Sequence, residues 1–150
     1  MEDIRHGLAW QESYKLGDDR VDGQHRQIFA LLSGLVCSCL DGSSVDQLKE
    51  TLDFLVDYTI RHFYDEESLQ VQYNYPGYGN HKQLHEDFKA TVSGIAQKYN
   101  EEGSTDELCN CLNKIVARWL VCHITREDKK VGEYIRMVDS RQRPNITAVA

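Results

Sequence analysis

Apolar residues recur at three- and four-residue steps along most of this chain, the period of an amphipathic helix. His25, Ile28, Phe29, Leu32, Leu35 and Val36 predict a first helix running from Asp22 to the Asp41-Gly42-Ser43 turn. Ser44 and Gln47 have the spacing of a capping box and open a second helix. Its stripe is Leu48, Leu52, Leu55, Thr59, His62, Glu66, Leu69 and Tyr73. The segment from Tyr75 to Asn80 (YPGYGN) breaks it with both Pro and Gly. A third stripe follows: His81, Leu84, His85, Phe88, Val92, Ile95 and Tyr99. Residues 100–103 read as a turn, with Ser104 and Glu107 as another capping box. The fourth stripe, Leu108, Leu112, Ile115, Trp119, Leu120, His123 and Ile124, continues to about Ile135. Four long helices with short connections predict an all-α, up-down-up-down four-helix bundle.

Residues 1–21 lack this periodicity but carry Trp10 and Tyr14, and read as an N-terminal arm packed over the domain. The bundle is expected over 22–137. Residues 138–150, with Pro144, read as a loose tail or linker.

Composition narrows the class. At 150 residues the chain is about one domain long. Its formal net charge of -7 argues against nonspecific binding to nucleic acid or to an anionic membrane surface. No apolar run approaches the ~20 residues that span a membrane. The first ten residues have no apolar signal core, so the expected location is cytoplasmic. The five cysteines are an odd count and suggest structural thiols in a reducing compartment. In the pairs Cys37/Cys39 and Cys109/Cys111 the two side chains point about 200° apart on a helix, so neither pair chelates well.

The histidines change the picture most. Five of the six, His25, His62, His81, His85 and His123, fall on the apolar stripes, and each helix supplies at least one. One buried imidazole is commonly a satisfied core residue. Five on the inward faces of one bundle call for a shared partner, because desolvating them without one is costly. His81 and His85, four apart, project from one helix face and can grip one ion. Glu66 stands four after His62 on the same face, where a buried carboxylate needs a cation. A second acid lies near His123. Such a set is too large for one tetrahedral zinc. It suits two ions sharing carboxylates, and imidazole with carboxylate oxygen is compatible with iron.

Other chemistries fit less well. A zinc protease helix needs H-E-x-x-H, but HKQLH has Lys82 at the glutamate position. Paired Glu-x-x-His motifs of carboxylate di-iron oxidases are missing. The sequence has no phosphate-binding glycine loop and no G-x-S-x-G elbow.

The segments DGQH (22–25), HFYDEE (62–67), HKQLH (81–85) and WLVCHITRED (119–128) together resemble the hemerythrin family, specifically its bacterial hemerythrin-like domains. The likeness spans about Trp10 to Tyr134. It implies a non-haem centre of two iron ions with an oxo or hydroxo bridge. By position, His81, His85 and His123 would hold one iron, and His25 and His62 the other, open one. Glu66 and Asp128 would bridge them. The implied activity is reversible dioxygen binding, with nitric oxide and small anions as further ligands. Stripe neighbours Phe29, Phe63, Phe88, Trp119 and Ile124 are the expected pocket walls. Two positions depart from the family pattern: Cys122 stands where Asn is common before the fourth-helix histidine, and Val131 where Tyr is usual after the aspartate.

Helix geometry and the resemblance disagree at one point. On an ideal helix Glu127, four after His123, lies nearer its face, whereas Asp128 is rotated by about 140°. The resemblance favours Asp128. Both hold if the helix is widened after His123, as in a π-bulge. The expected function is therefore a dioxygen-binding protein for storage, delivery or sensing, and not an enzyme. The alternatives are a sensory input domain with a fused output domain after the tail, such as a diguanylate cyclase or chemoreceptor, and a di-iron peroxidase or oxidase.

Overall fold

The computed structural model describes residues 9–42, 44–101 and 105–142. Four helices dominate it, and there is no strand among the described residues. They are α1 (Asp19–Leu40), α2 (Val45–Gln72), α3 (Tyr78–Glu101) and α4 (105–142). A single 3-10 turn, Glu12–Tyr14, precedes them. α1 packs on α2, α2 on α3, and the first part of α4 returns to α1. The expected all-α bundle is thus the observed fold.

The local signals explain most helix ends. Ser44 and Gln47 make the predicted capping box: the Gln47 N–H donates to Ser44 Oγ at 3.2 Å, and the Ser44 N–H to Gln47 Oε1 at 3.0 Å. Gly42, at φ +73°, turns the chain after α1 as only glycine does cheaply. α1 begins three residues before the expected Asp22. Asp18 is its N-cap and accepts from the Val21 N–H at 3.0 Å. Asp22 is instead buried and accepts from the backbone N–H groups of Leu16 (2.7 Å) and Gly17 (3.2 Å), tying the arm to the bundle. α3 starts at Tyr78, inside the Pro/Gly segment, and α4 runs past Met137 to Gln142. The Ser104 capping box and residues 143–150 of the tail lie outside the described residues.

Most of the stripes of α1, α2 and α3 is buried, from Ile28 and Leu32 through Leu52 and Leu55 to Phe88 and Val92; Leu69, Tyr73 and Leu84 are only half-buried, and the Tyr99 side chain lies outside the description. Trp10 and Tyr14 rest on this core, with Tyr14 stacked on Phe29 at 5.6 Å. α4 is different. It contains two π segments, Leu112–Ala117 and His123–Asp128. Ile115, expected inside, is 37% exposed, and Val116 and Ala117 are buried in its place.

The reason can be read in the spacing. Leu108, Leu112, Val116, Leu120, Ile124, Asp128 and Gly132 are all buried, six successive steps of four. Each such step overshoots an α-turn by about 40°. A regular helix would carry the row most of the way round. A π turn absorbs about one surplus residue. Two of them reduce 24 residues to about 22, close to six whole α-turns, and the row stays on one face.

The cysteine expectation needs correction. Cys39 and Cys109 form a disulfide joining α1 to α4, while Cys37, Cys111 and Cys122 are free. The two bonded cysteines face each other across packed helices with Cα atoms 5.7 Å apart, a normal bridging distance. Their separation by 70 positions hides this in the sequence.

Candidate metal centre

Each helix delivers its polar residues to one level of the bundle. α1 brings His25, α2 His62 and Glu66, α3 His81 and His85, and α4 His123 and Asp128. All seven are buried. On α2 and α3 the four-residue spacing alone places each pair on one face. On α4 the π segment spans His123–Asp128, so a residue five positions on returns to the histidine's face. The Thr125 hydroxyl donates to the Val121 carbonyl at 2.8 Å, occupying a backbone acceptor at the widened turn. Glu127, the rival acid, points outward and pairs with Lys130 at 3.3 Å.

The donor atoms fall into two overlapping groups. His81, His85, His123, Glu66 and Asp128 form one; His25, His62, Glu66 and Asp128 form the other. Within each, ligand atoms lie within 4.8 Å of one another. The two carboxylates divide their oxygens between the groups. Glu66 Oε2 faces His62 Nε2 (3.0 Å) and His25 Nε2 (3.4 Å), while Oε1 faces His81 and His85. Asp128 Oδ2 faces His25 Nε2 (2.9 Å), and Oδ1 faces His81 (3.0 Å) and His123 (3.1 Å).

These contacts are close but badly directed. His25 Nε2, His62 Nε2, Glu66 Oε2 and both Asp128 oxygens are buried without a hydrogen-bond partner, although each is within ion-pair distance of others. His85 and His123 even face each other Nε2 to Nε2 at 3.0 Å. Lone pairs converging on common points without protons aimed along them fit cations held between them.

Charge tells the same story. Burial would push the Glu66 carboxyl up, but contacts with His25, His62, His81 and His85 hold it well below the usual range. Burial and the Glu66 charge would likewise raise Asp128, and His123 and His25 hold it down. Burial opposes protonation of His25 and His81, yet the two carboxylates lift them to about 9 and about 10. Burial keeps His62 low. Protons on His25 and His81 thus balance the two acids, a task a metal cation would take over.

Outer contacts orient the rings. His62 Nδ1 meets Gln24 Oε1 at 2.8 Å, and Gln24 Nε2 donates to Asp65 at 2.7 Å. Arg20 in turn pairs with Asp65 at 3.0 Å. His85 Nδ1 meets Glu67 Oε2 at 3.3 Å. Gln70 Nε2 donates to Glu66 Oε1 at 3.4 Å. Sequence reasoning passed over Gln24, Glu67 and Gln70. Gln70 had a signal, standing four after Glu66 on the buried face; Gln24 and Glu67 had none beyond adjacency to His25 and Glu66.

The expected wall residues divide. Phe63 stacks on His85 at 3.8 Å and 7°, and Trp119 on His123 at 4.5 Å and 9°. Phe88 packs behind both, on Phe63 and Trp119. Ile124 is buried in the main core. Phe29 instead meets Trp10 and Tyr14, and it is Trp10 whose ring lies 6.4 Å from His25.

Residues 16–135 match the family model described as the hemerythrin HHE cation binding domain. The chain belongs to the hemerythrin family. Among hemerythrin relatives, a bacteriohemerythrin of Stenotrophomonas maltophilia (strain R551-3) is 30% identical over 131 residues, covering 86% of this chain and 82% of its own. A myohemerythrin of Sipunculus nudus is 34% identical over 122 residues, covering 81% and 88%. A hemerythrin-like protein of Naegleria gruberi is 31% identical over 121 residues, covering 81% and 87%. For this hemerythrin chain, the family's cation-binding description and the buried imidazole–carboxylate cluster agree on a metal site.

Proposed function

We propose that this hemerythrin chain binds dioxygen reversibly at two non-haem iron ions, and that it is a carrier or sensor of oxygen and not an enzyme. One observation carries the reading: two donor groups that share Glu66 and Asp128, each carboxylate giving one oxygen to either side. His81, His85 and His123 would hold the first ion, and His25 and His62 the second, with one histidine fewer. On that side the chain supplies fewer donors, which is where a small ligand would enter. When bound, the iron pair supplies the electrons for reversible dioxygen binding.

The chain's own residues do the rest. Phe63, Phe88 and Trp119 lie against the three-histidine side, and Trp10 lies near His25; together they exclude water. Gln24 and Glu67 fix two imidazoles with Nε2 turned inward. Gln70 steadies Glu66. The helical bundle is the functional unit, with Trp10 and Tyr14 of the arm resting on its core.

Iron content of the purified protein tests the reading. Two irons per chain are expected, with a visible absorption band that develops in air and is lost on deoxygenation. Glu66→Ala and Asp128→Ala should lose iron, while Glu127→Ala should keep it. Protein with no iron, or equal loss from Glu127→Ala and Asp128→Ala, would overturn it.

A further inference from the structure

The same register that aligns the buried row of α4 aligns a second row on its outer side. Lys114, Arg118, Cys122 and Arg126 also follow one another in steps of four, about 6 Å apart along the axis. On a regular helix the row would wind about 120° around over this length. Here all four line one groove of about 500 Å³ between α3 and α4. Lys114, Arg118 and Arg126 are exposed and make no ion pair among the described residues. Three unpaired cations in a file stand out on a chain of net charge -7. The acid at the groove, Glu127, is already engaged by Lys130.

The groove also has apolar walls, Leu84 from α3 and Ile115 from α4. Its floor includes Trp119 and His123. His123 is 5% exposed, more than any other residue of the candidate centre, and Trp119 lies flat on it. The groove is therefore where solvent comes nearest to the centre through a continuous aromatic contact.

We propose that this groove binds a flavin carrying a phosphate group, of the flavin mononucleotide class, and that the reduced flavin restores the oxidised centre there. The inference rests on the di-iron reading for its redox step, but not for the binding itself. The phosphate lies at Arg118 and Arg126, whose long side chains reach toward each other past Cys122 and supply charge and N–H donors, and Lys114 adds positive charge farther along the groove. The ring lies between Leu84 and Ile115 over the Trp119–His123 stack. A dihydroflavin gives up two electrons and two protons to become the oxidised flavin. Two ferric ions take one electron each and become ferrous, and the protons pass to solvent. One donor molecule thus matches one centre.

Binding is measured by titrating the purified full chain into flavin mononucleotide and following the quenching of flavin fluorescence. Riboflavin, which lacks the phosphate, and competing inorganic phosphate form the comparison arms. Saturable binding of flavin mononucleotide is expected, with riboflavin weaker by about tenfold or more. Arg118→Glu and Arg126→Glu should each weaken it by about tenfold, and Arg141→Glu, exposed far along α4, should not. Reduction of the iron-loaded ferric protein by reduced flavin mononucleotide should slow in Arg118→Glu, with reduction by dithionite unchanged. Flavin mononucleotide binding no tighter than riboflavin or inorganic phosphate, or groove variants that bind like the parent, would overturn the proposal. Iron is measured in the same samples: chain without iron that still binds flavin through Arg118 would sink the di-iron reading and leave the binding site standing.

Discussion

Helices α2 and α4 each place an acid and a histidine at the centre, and they do so by different means. α2 is a regular α-helix over its 28 residues. His62 and Glu66 share a face because four residues make about one turn. α4 reaches the same result with a five-residue interval, His123 to Asp128, by widening the helix between them. The cost falls on backbone regularity. In return, α4 keeps an unbroken buried row over most of its length and can leave Glu127 on the surface. A ligand pair can therefore be written into a helix at two spacings, and only the shorter one is visible to a reader who assumes ideal geometry.

The sharpest way to break the comparison is to remove one residue between acid and histidine in each helix. Deletion of Tyr64, which is exposed on the regular α2, should turn Glu66 and everything beyond it by about 100°, whereas deletion of Arg126 should let α4 revert to α geometry with Asp128 four residues after His123 on one face. Bound iron should fall close to zero in the α2 deletion and persist in the α4 deletion, while the far-ultraviolet circular dichroism of both stays helical. Loss of the metal from both would mean that the π segment does not hold a surplus residue. A smaller effect is expected where α2 leans on α1. Gln24→Ala removes the acceptor that meets His62 Nδ1 and should weaken metal binding by about 10- to 100-fold, read by chelator competition. Unchanged affinity would show that the His62 ring is held by packing alone.

Smaller still is the effect of crowding beyond Asp128. Gly132 continues the buried row, and a Cβ there would lie 2.9 Å from the Leu16 Cα. Because the obstacle is backbone, Gly132→Ala should cost about 1–3 kcal/mol in urea unfolding. A neutral result would mean that the arm lifts freely. The last test concerns protons. His25 and His81, raised to about 9 and about 10, are charged at pH 7, so cations entering the site must displace protons from both. Metal loading at pH 7 should release about two protons per chain, seen by calorimetry in buffers of different ionisation heat. Apparent affinity should rise with pH and level off above about 10. In the metal-free protein the sign reverses. The stabilising contacts of the raised imidazoles are full below about 6.5 and are lost as pH climbs through 9–10.

Much of this was legible in the sequence, and what was not has physical causes. The stripes of α1 to α3 follow one period and were readable, as was the capping box at Ser44. The polar residues on those stripes pointed to a shared cation because nothing else satisfies several buried imidazoles at once. Ile115 misled because three- and four-residue steps were assumed to alternate. The unbroken run of four-residue steps from Leu108 to Gly132 was the available sign of two widened turns. Gln24 escaped because hydrogen bonding across helices, from α1 to His62 and Asp65 on α2, has no local signature. The Cys39–Cys109 bridge escaped for the same reason.

That bridge also gives the chain a topology. It closes residues 39–109 into a covalent ring, so His62, Glu66, His81 and His85 belong to the loop, while His25, His123 and Asp128 sit on the two strands leaving it. A single proteolytic cut at the Pro76 turn would leave the molecule in one piece until a reductant was added. Closing a ring of this size also removes chain entropy worth about 4 kcal/mol from the unfolded state. The middle pair of helices is thus tethered at both ends, even in a chain whose backbone has been cut between them.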